Sequence, residues 1–230
     1  MYKRKFPNNI QFGMKHKKTK KNDDCNSLND SLDSSDIKND ILNKLSTKNS
    51  DKNIERDCNH IYFYSEVDRE SIYDLCTLIK EAEEENIITS YKLDIEPVPI
   101  YIHINSMGGC VFSAFNAIDC INSCKVPVHT IIEGSTASAG TLISVTGKKR
   151  YIRPNAFMLI HQLSSFLGGK MSEIEDEYKN LQELMLKIRN IYKDHSTIPR
   201  KELNDLLKQD LWLNADKCLK FGLVDELWTK

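Results

Sequence analysis

Two apolar, β-branched runs each lead into a glycine-containing loop and then into residues with helical spacing. Residues 99–105 (PIYIHIN) precede a break at Gly108 and Gly109, and residues 111–124 then have apolar side chains at helical intervals. Residues 126–133 (VPVHTIIE) precede the small residues 134–140, which open a short apolar helix. A strand followed by a helix and another strand favours a parallel sheet with right-handed crossovers. The sequence therefore predicts an α/β fold.

The remaining periodic segments extend this alternation. Three more short strands are predicted at residues 61–64, 150–152 and 157–160, and helices at residues 70–85 and 202–208. A longer helix to residue 194 is predicted to begin at a capping box formed by Ser172 and Glu175. Its apolar residues form a narrow seam, which predicts a helix that projects from the sheet and packs at a subunit interface. The seam comprises Ile174, Tyr178, Leu181, Met185, Ile188 and Tyr192.

The formal net charge of −1 is a cancellation between two unlike parts. Residues 1–59 carry 13 Lys and Arg against 9 Asp and Glu, whereas residues 60–230 carry 19 against 24. The first part is rich in Lys, Asn, Asp and Ser and has little apolar area to offset backbone ordering. We therefore predict a disordered or targeting extension over residues 1–59 and one domain over residues 60–230. The balanced charge argues against nucleic acid as a partner.

The seven cysteines do not form a regular framework. Their number is odd, no CxxC pair is present, and no His completes a metal-ligand spacing, although Cys120 and Cys124 lie one helical turn apart. This pattern predicts free thiols in a reducing compartment, either the cytoplasm or an organellar matrix, and no bound metal or cofactor. No apolar run reaches the roughly 18–20 residues that span a bilayer, so no membrane partner is expected.

Three side chains are candidates for nucleophilic chemistry. Ser138 lies where a helix starts after a strand, and sites in open α/β sheets form at the carboxyl ends of strands. His161 ends another predicted strand and can accept the serine proton. Asp210, with Asp205 as the alternative, can hold the imidazole in the required tautomer.

Backbone amides near Ser138 are candidates for stabilising an oxyanion. Gly108 and Gly109 have no Cβ, so their amides can approach a carbonyl closely, and Ala139 follows the serine at a helix start. Neither glycine loop matches a phosphate-binding motif. By spacing alone a simpler interpretation stays open, in which Ser138 caps the helix, Asp210 caps a turn and the glycine pair is an ordinary turn.

Five segments, in order along residues 60–230, resemble the proteolytic subunit of the Clp protease, ClpP, a serine peptidase with the ClpP/crotonase fold. They are IYFYSEVDRE (61–70), PIYIHINSMGG (99–109), EGSTASAG (133–140), MLIHQ (158–162) and QDLWLNADKCLKFGLVDEL (209–227). By this resemblance Ser138 is the nucleophile, His161 the general base and Asp210 the orienting acid. The amides of Gly108, Gly109 and Ala139 form the oxyanion hole, and the long helix after Gly169 is the handle.

The resemblance also implies an assembly and partners. The expected enzyme is an endopeptidase whose subunits form two stacked rings around a chamber, and an ATP-driven AAA+ unfoldase supplies unfolded chains. Three alternatives keep the fold: a non-catalytic subunit of a mixed ring, a phage-type maturation peptidase, and a crotonase-type acyl-CoA enzyme.

Overall fold

The computed structural model describes residues 53–229. The predicted extension over residues 1–59 therefore lies outside the described residues up to position 52, and its disorder stays a prediction. The described part contains an eight-stranded sheet, and helices connect most of the successive strands. Most strand pairs are parallel, so the predicted α/β fold with a mostly parallel sheet is confirmed.

The described elements follow one another in the order strand, strand, helix and then mainly alternate. The strands are β1 (Ile54–Asp57), β2 (His60–Phe63), β3 (Ile100–Ser106), β4 (Val128–Ala137), β5 (Lys149–Ile152), β6 (Phe157–Leu159), β7 (Leu213–Asn214) and β8 (Glu226–Leu227). The helices are α1 (Arg69–Leu93), α2 (Val111–Ser123), α3 (Ala139–Val145), α4 (Met171–Asp194), α5 (Arg200–Leu206) and α6 (Ala215–Lys220).

The sheet branches at β4. The main path runs β1-β2-β3-β4-β5-β8, and β6 pairs with the last part of β4 beyond the end of β5. Gly134 lies between these two pairings with φ of +61°, and a Cβ there would meet the Asn105 amide nitrogen at 3.0 Å. Only glycine adopts this conformation readily, so it allows the strand to bend from one partner to the next.

The two faces of the sheet differ in chemistry. Alternate residues of β2 and β3, such as Ile61 and Ile102, are fully buried under the helices in the main hydrophobic core. The other face carries histidines and aromatic rings, including His103, which contacts Glu133 at 3.0 Å. Burial alone would raise the pKa of Glu133, but hydrogen bonds from Tyr64, His103 and Arg153 outweigh it and lower this pKa.

Several predicted boundaries were wrong. Helix α1 continues to Leu93, and the buried Asn86 beyond its predicted end has a distant partner in Asn59, to which its side chain donates at 3.0 Å. Helix α4 begins at Met171 rather than at a Ser172 capping box, and it is the Glu173 carboxylate that accepts the Lys170 N–H at 3.0 Å.

Two further differences concern strands. Residues 134–137, predicted as a loop, belong to β4, because pairing with β6 supplies backbone partners that no local sequence signal indicates. Strand β1 lies before position 60, where the sequence analysis starts the ordered part. It pairs antiparallel with β2, as Asp57 opposite His60 shows.

The first half of α4 extends away from the core. Its buried residues all lie in the second half, from Met185 to Tyr192. Met171 and Tyr178 in the first half are exposed, so the predicted projecting helix is confirmed and part of its seam is uncovered in this chain. No helix among residues 53–229 combines the length and the apolar character needed to cross a membrane.

The C-terminal segment pairs with β5 through β8, and an ion pair between Arg150 and Asp225 adds to this attachment. The Arg150 N–H and Nε donate to Asp225 Oδ2 at 2.8 and 3.0 Å, and the guanidinium also donates to the carbonyls of His195 and Gly222. Burial alone would raise the pKa of Asp225, but the hydrogen bonds and charge of Arg150 outweigh it and lower this pKa.

We expect Asp225→Asn to lower the free energy of unfolding by about 1–2 kcal/mol at pH 7, because it removes a charged acceptor from a half-buried guanidinium. Urea unfolding followed by circular dichroism measures this loss. The matched control is Glu226→Gln, which breaks the neighbouring exposed pair with Lys149 and should lower the free energy of unfolding by much less than Asp225→Asn does.

The effect of Asp225→Asn should depend on pH. Because the folded pKa of Asp225 is lowered, its stabilisation is complete above the ordinary aspartate pKa of about 4 and is lost as pH falls through the folded value. The difference between wild type and Asp225→Asn should therefore shrink on acidification below about pH 4. A difference that stays constant from neutral to acid pH would contradict this account.

Candidate active site

Strand register brings Ser138 and His161 to the same edge of the sheet. Strands β4 and β6 are parallel, with Ala137 opposite Leu159, and the Ser138 N–H donates to the Leu159 carbonyl at 2.9 Å. Both strands therefore end at the same edge of the sheet, β4 one residue before Ser138 and β6 two residues before His161. Both side chains line one cavity of about 70 Å³.

The backbone of Ser138 is held in an unusual conformation. Its φ of +52° and ψ of −127° lie in a region that a residue with a Cβ rarely adopts. Ser138 stands immediately before α3, yet its side chain makes no capping hydrogen bond to that helix. The simpler interpretation of Ser138 as a helix cap is therefore not supported, and its hydroxyl is not engaged by the helix.

Asp210 is the acid that the structure brings to His161. Strands β6 and β7 are antiparallel with Met158 opposite Leu213, and this register, continued toward the ends of the strands, pairs His161 with Asp210. The Nδ1 of His161 lies 3.5 Å from Oδ1 of Asp210. The alternative acid, Asp205, instead lies 3.9 Å from the Lys208 ammonium.

The contact between His161 and Asp210 is open to solvent. The Asp210 side chain is 81% exposed, whereas that of His161 is 24% exposed. A separation of 3.5 Å is longer than a good charge-assisted hydrogen bond, so in this single chain the carboxylate is near the imidazole without holding it tightly. The segment after His161 is fixed more firmly, since the Gln162 N–H donates to the Leu207 carbonyl at 2.6 Å.

Gly108 packs directly against Ser138. A Cβ on Gly108 would lie 2.6 Å from the Ser138 Cβ and 2.8 Å from the Ala137 carbonyl oxygen, and its φ is +95°. The loop is held from the other side by Val67, which donates its N–H to the Gly108 carbonyl at 2.8 Å and accepts the Cys110 N–H at 2.6 Å. Glycine is therefore required at this position by both space and backbone conformation.

The three predicted oxyanion amides differ in availability. The Gly108 N–H donates to Oγ of the buried Ser106 at 3.2 Å. Across residues 53–229, no hydrogen bond is formed by the N–H groups of Gly109 or Ala139. The two hydrogen bonds with Val67 use the Gly108 carbonyl and the Cys110 N–H, so they leave the Gly109 N–H unused. Ala139 is the first residue of α3, and its N–H therefore has no acceptor within the helix.

A buried polar pair beneath Ser138 was missed by sequence reasoning. The Thr141 hydroxyl donates to the Ser138 carbonyl at 2.6 Å and also lies 2.6 Å from the hydroxyl of Tyr192, which is almost fully buried. Burial raises the pKa of Tyr192, so its hydroxyl stays protonated. The apolar seam of α4 predicted Tyr192 as a packing residue, but nothing local indicated its polar partner.

The arrangement has the parts of an acyl-transfer site: an uncapped serine hydroxyl, an imidazole in the same cavity, a carboxylate beside the imidazole, and unpaired backbone amides. Within the part of the chain that the structure describes, no group of three or more His, Cys, Asp or Glu side chains could hold a metal ion.

Sequence comparison relates most of the chain to proteases. A family model for the Clp protease matches residues 46–230. The proteolytic subunit of the ATP-dependent Clp protease from Streptococcus mutans is 36% identical over 132 residues, which cover 56% of this chain and 67% of that protein. Proteolytic subunit 2 from Treponema denticola is 35% identical over 131 residues, covering 56% and 66%.

A solved structure supports the same relationship at the level of the fold. A ClpP1 mutant from Listeria monocytogenes superposes with a TM-score of 0.65 and covers 75% of this chain and 92% of that one. Its sequence identity is 24%, so this likeness shows the fold alone. The predicted ClpP-like fold is confirmed, and the family model, which covers most of the chain, shows that the chain belongs to the Clp protease family.

Proposed function

We propose that this chain is a serine endopeptidase in which Ser138 is the nucleophile, His161 the general base and Asp210 the orienting acid. The observation that carries the proposal is the pairing of β4 with β6, which ends both strands at one cavity lined by Ser138 and His161. Asp210 lies beside Nδ1 of His161, which leaves the second ring nitrogen to accept the serine proton. This arrangement supports the order Ser138, His161, Asp210 in the triad.

In the first step Ser138 attacks the carbonyl carbon of a peptide bond. His161 takes the hydroxyl proton as the C–O bond forms, and it then gives that proton to the departing amine. The negative charge on the tetrahedral oxygen is received by the amides of Ala139 and Gly109, which have no acceptor within residues 53–229. The Gly108 amide joins them if it releases the long bond to Ser106.

In the second step water hydrolyses the acyl-enzyme. His161 takes a proton from the water, the same amides stabilise the second tetrahedral oxygen, and Ser138 is released when it regains its proton. Asp210 supports the imidazolium that forms in each step, and this support strengthens if a neighbouring chain or a substrate covers its exposed carboxylate.

Assembly and partners are part of the proposal. The exposed first half of α4 suits packing against the same helix of another subunit, so the chain would form two stacked rings that enclose the active sites. An AAA+ unfoldase would feed unfolded proteins into this chamber. The six described cysteines are free, which supports a reducing compartment such as the cytoplasm or an organellar matrix.

A second candidate is a non-catalytic subunit of a mixed ring. The observation that favours it is the exposed carboxylate of Asp210, which holds His161 at 3.5 Å rather than in a tight hydrogen bond. In that case the fold and the rings would remain, and peptide hydrolysis would come from other subunits. A phage-type maturation peptidase would share the triad and differ in substrate.

Labelling with a fluorophosphonate tests the role of Ser138. We expect peptide mapping to find the phosphonate on Ser138, and Ser138→Ala to abolish both the label and peptide hydrolysis. Ser135→Ala, which removes a half-buried hydroxyl from the same strand, is the matched control and should keep both. An assembled sample that hydrolyses peptides equally well with Ser138→Ala would overturn the proposal.

Replacement of Gly108 tests the close approach at the site. We expect Gly108→Ala to slow the reaction of Ser138 with the fluorophosphonate by at least about 10-fold, because the added methyl group displaces Ser138 or the loop. The matched control is Gly168→Ala, where the new methyl group would meet only the Phe166 ring at 3.5 Å. Equal labelling rates for the two variants would show that the loop is not packed as described.

Two aspartates can be compared as the orienting acid. We expect Asp210→Asn to lower kcat/KM for a peptide by about 10²-fold or more, since the amide cannot stabilise the imidazolium. Asp205→Asn, in a residue paired with Lys208, should change it by less than about 2-fold. The reverse ranking would assign the role to Asp205.

A further inference from the structure

Two cysteines outside the active site contact each other between neighbouring helices. Cys76 lies on α1 and Cys120 on α2, where the two helices pack together and the Cys76 and Cys120 side chains interact. Cys120 Sγ also lies 3.9 Å from the Cys76 carbonyl oxygen, so it reaches the main chain of the other helix as well. Both residues are half-buried, and neither is required by the proposed peptidase chemistry.

The surroundings give the two thiols different acidities. The interaction with the Cys76 thiol lowers the pKa of Cys120, and the positive charge of Lys80 adds to the effect, while burial and Glu83 oppose it. The same interaction and burial raise the pKa of Cys76. The thiolate, not the thiol, is the nucleophile, so Cys120 is the reactive member and Cys76 remains protonated beside it.

We propose that Cys76 and Cys120 form a two-cysteine redox site, which a hydroperoxide oxidises to a disulfide between α1 and α2. A reactive thiolate beside a second thiol is the arrangement that captures an oxidised sulfur before it is oxidised further. Helix α2 begins two residues after Gly109, so the disulfide would join the helix that follows the glycine loop to α1.

The reaction balances in two steps. The Cys120 thiolate attacks one oxygen of the hydroperoxide, the O–O bond breaks, and the departing oxygen takes a proton to leave an alcohol or water with Cys120 as a sulfenic acid. The Cys76 sulfur then attacks the Cys120 sulfur, the S–S bond forms, and hydroxide leaves with the Cys76 proton as water. Together the two thiols lose two electrons and the hydroperoxide gains them.

Cys124 is the natural control, because it follows Cys120 by four residues and is also half-buried. Burial raises the pKa of Cys124, so it should react more slowly than Cys120 at neutral pH. A disulfide with Cys124 would compete with the proposed one only if Cys120 turned away from Cys76.

The test treats the full-length protein with hydrogen peroxide at pH 7, blocks free thiols with N-ethylmaleimide, and maps non-reduced peptides by mass spectrometry. We expect a peptide pair joined through Cys76 and Cys120 that dithiothreitol releases, in wild type and in Cys124→Ser alike. Cys76→Ser should lose the disulfide and instead yield a dimedone adduct on Cys120, and Cys120→Ser should yield neither.

Three results would overturn the proposal. A predominant disulfide between Cys120 and Cys124, or a folded wild-type sample in which Cys76 and Cys120 are alkylated in full after peroxide, would do so. So would alkylation of Cys120 by N-ethylmaleimide at pH 7 that is no faster than alkylation of Cys124. Circular dichroism of each variant verifies folding, and fluorophosphonate labelling of Ser138, measured separately, keeps this outcome distinct from that of the peptidase proposal.

Discussion

The parallel pairing of the last part of β4 with β6 is the interaction on which the rest of the site depends. It places Ala137 opposite Leu159 and ties the Ser138 amide to the Leu159 carbonyl. A shift of one residue would turn alternate side chains to the opposite face and move His161 along the edge. The same strand, β6, also pairs with β7 and so positions Asp210. One short strand of three residues therefore sets the distances among the three proposed triad members.

The second requirement of the site is a glycine at position 108, where the loop packs too closely against Ser138 to leave room for a side chain. Gly108 leaves no room for a Cβ against Ser138, and Ser138 itself has a positive φ. Such a conformation costs free energy of roughly 1–3 kcal/mol and persists only where the surroundings determine it. Here the surroundings are the Val67 bonds to the glycine loop and the Thr141–Tyr192 pair below the serine carbonyl. The strained turn thus depends on residues from α3 and α4, far apart in the chain.

The helices serve two purposes. Apolar residues of α1, α2 and α3 bury one side of the sheet, and Met171 and Tyr178 in the first half of α4 are exposed. The contact of α1 with α2 also brings two thiols together, which a packing role alone does not require. The proposed redox site and the proposed peptidase site therefore share a scaffold but no side chain.

Much of the fold and the candidate site could be predicted from residue patterns. The two glycine loops after β-branched runs indicate parallel strands with a site at their ends, which makes Ser138 a candidate. His161 and Asp210 are candidates from the predicted strands beside them, and the roles of all three follow from the resemblance to ClpP. Helix α1 was predicted too short and residues 134–137 were predicted as a loop, because Asn59, the partner of the buried Asn86 in α1, and strand β6, the partner of residues 135–137, are distant in sequence. Local patterns do not report such partners.

The sequence by itself determined the α/β alternation, the residue types of the site and the position of its glycines, since these follow from periodicity and from the absence of a Cβ. Only the tertiary structure decided that Asp210 rather than Asp205 lies beside His161, that the Ser138 hydroxyl does not cap α3, and that Cys76 meets Cys120. Each of these depends on register or on helix packing between segments far apart in the chain. Spacing within a segment carries no information about such distances.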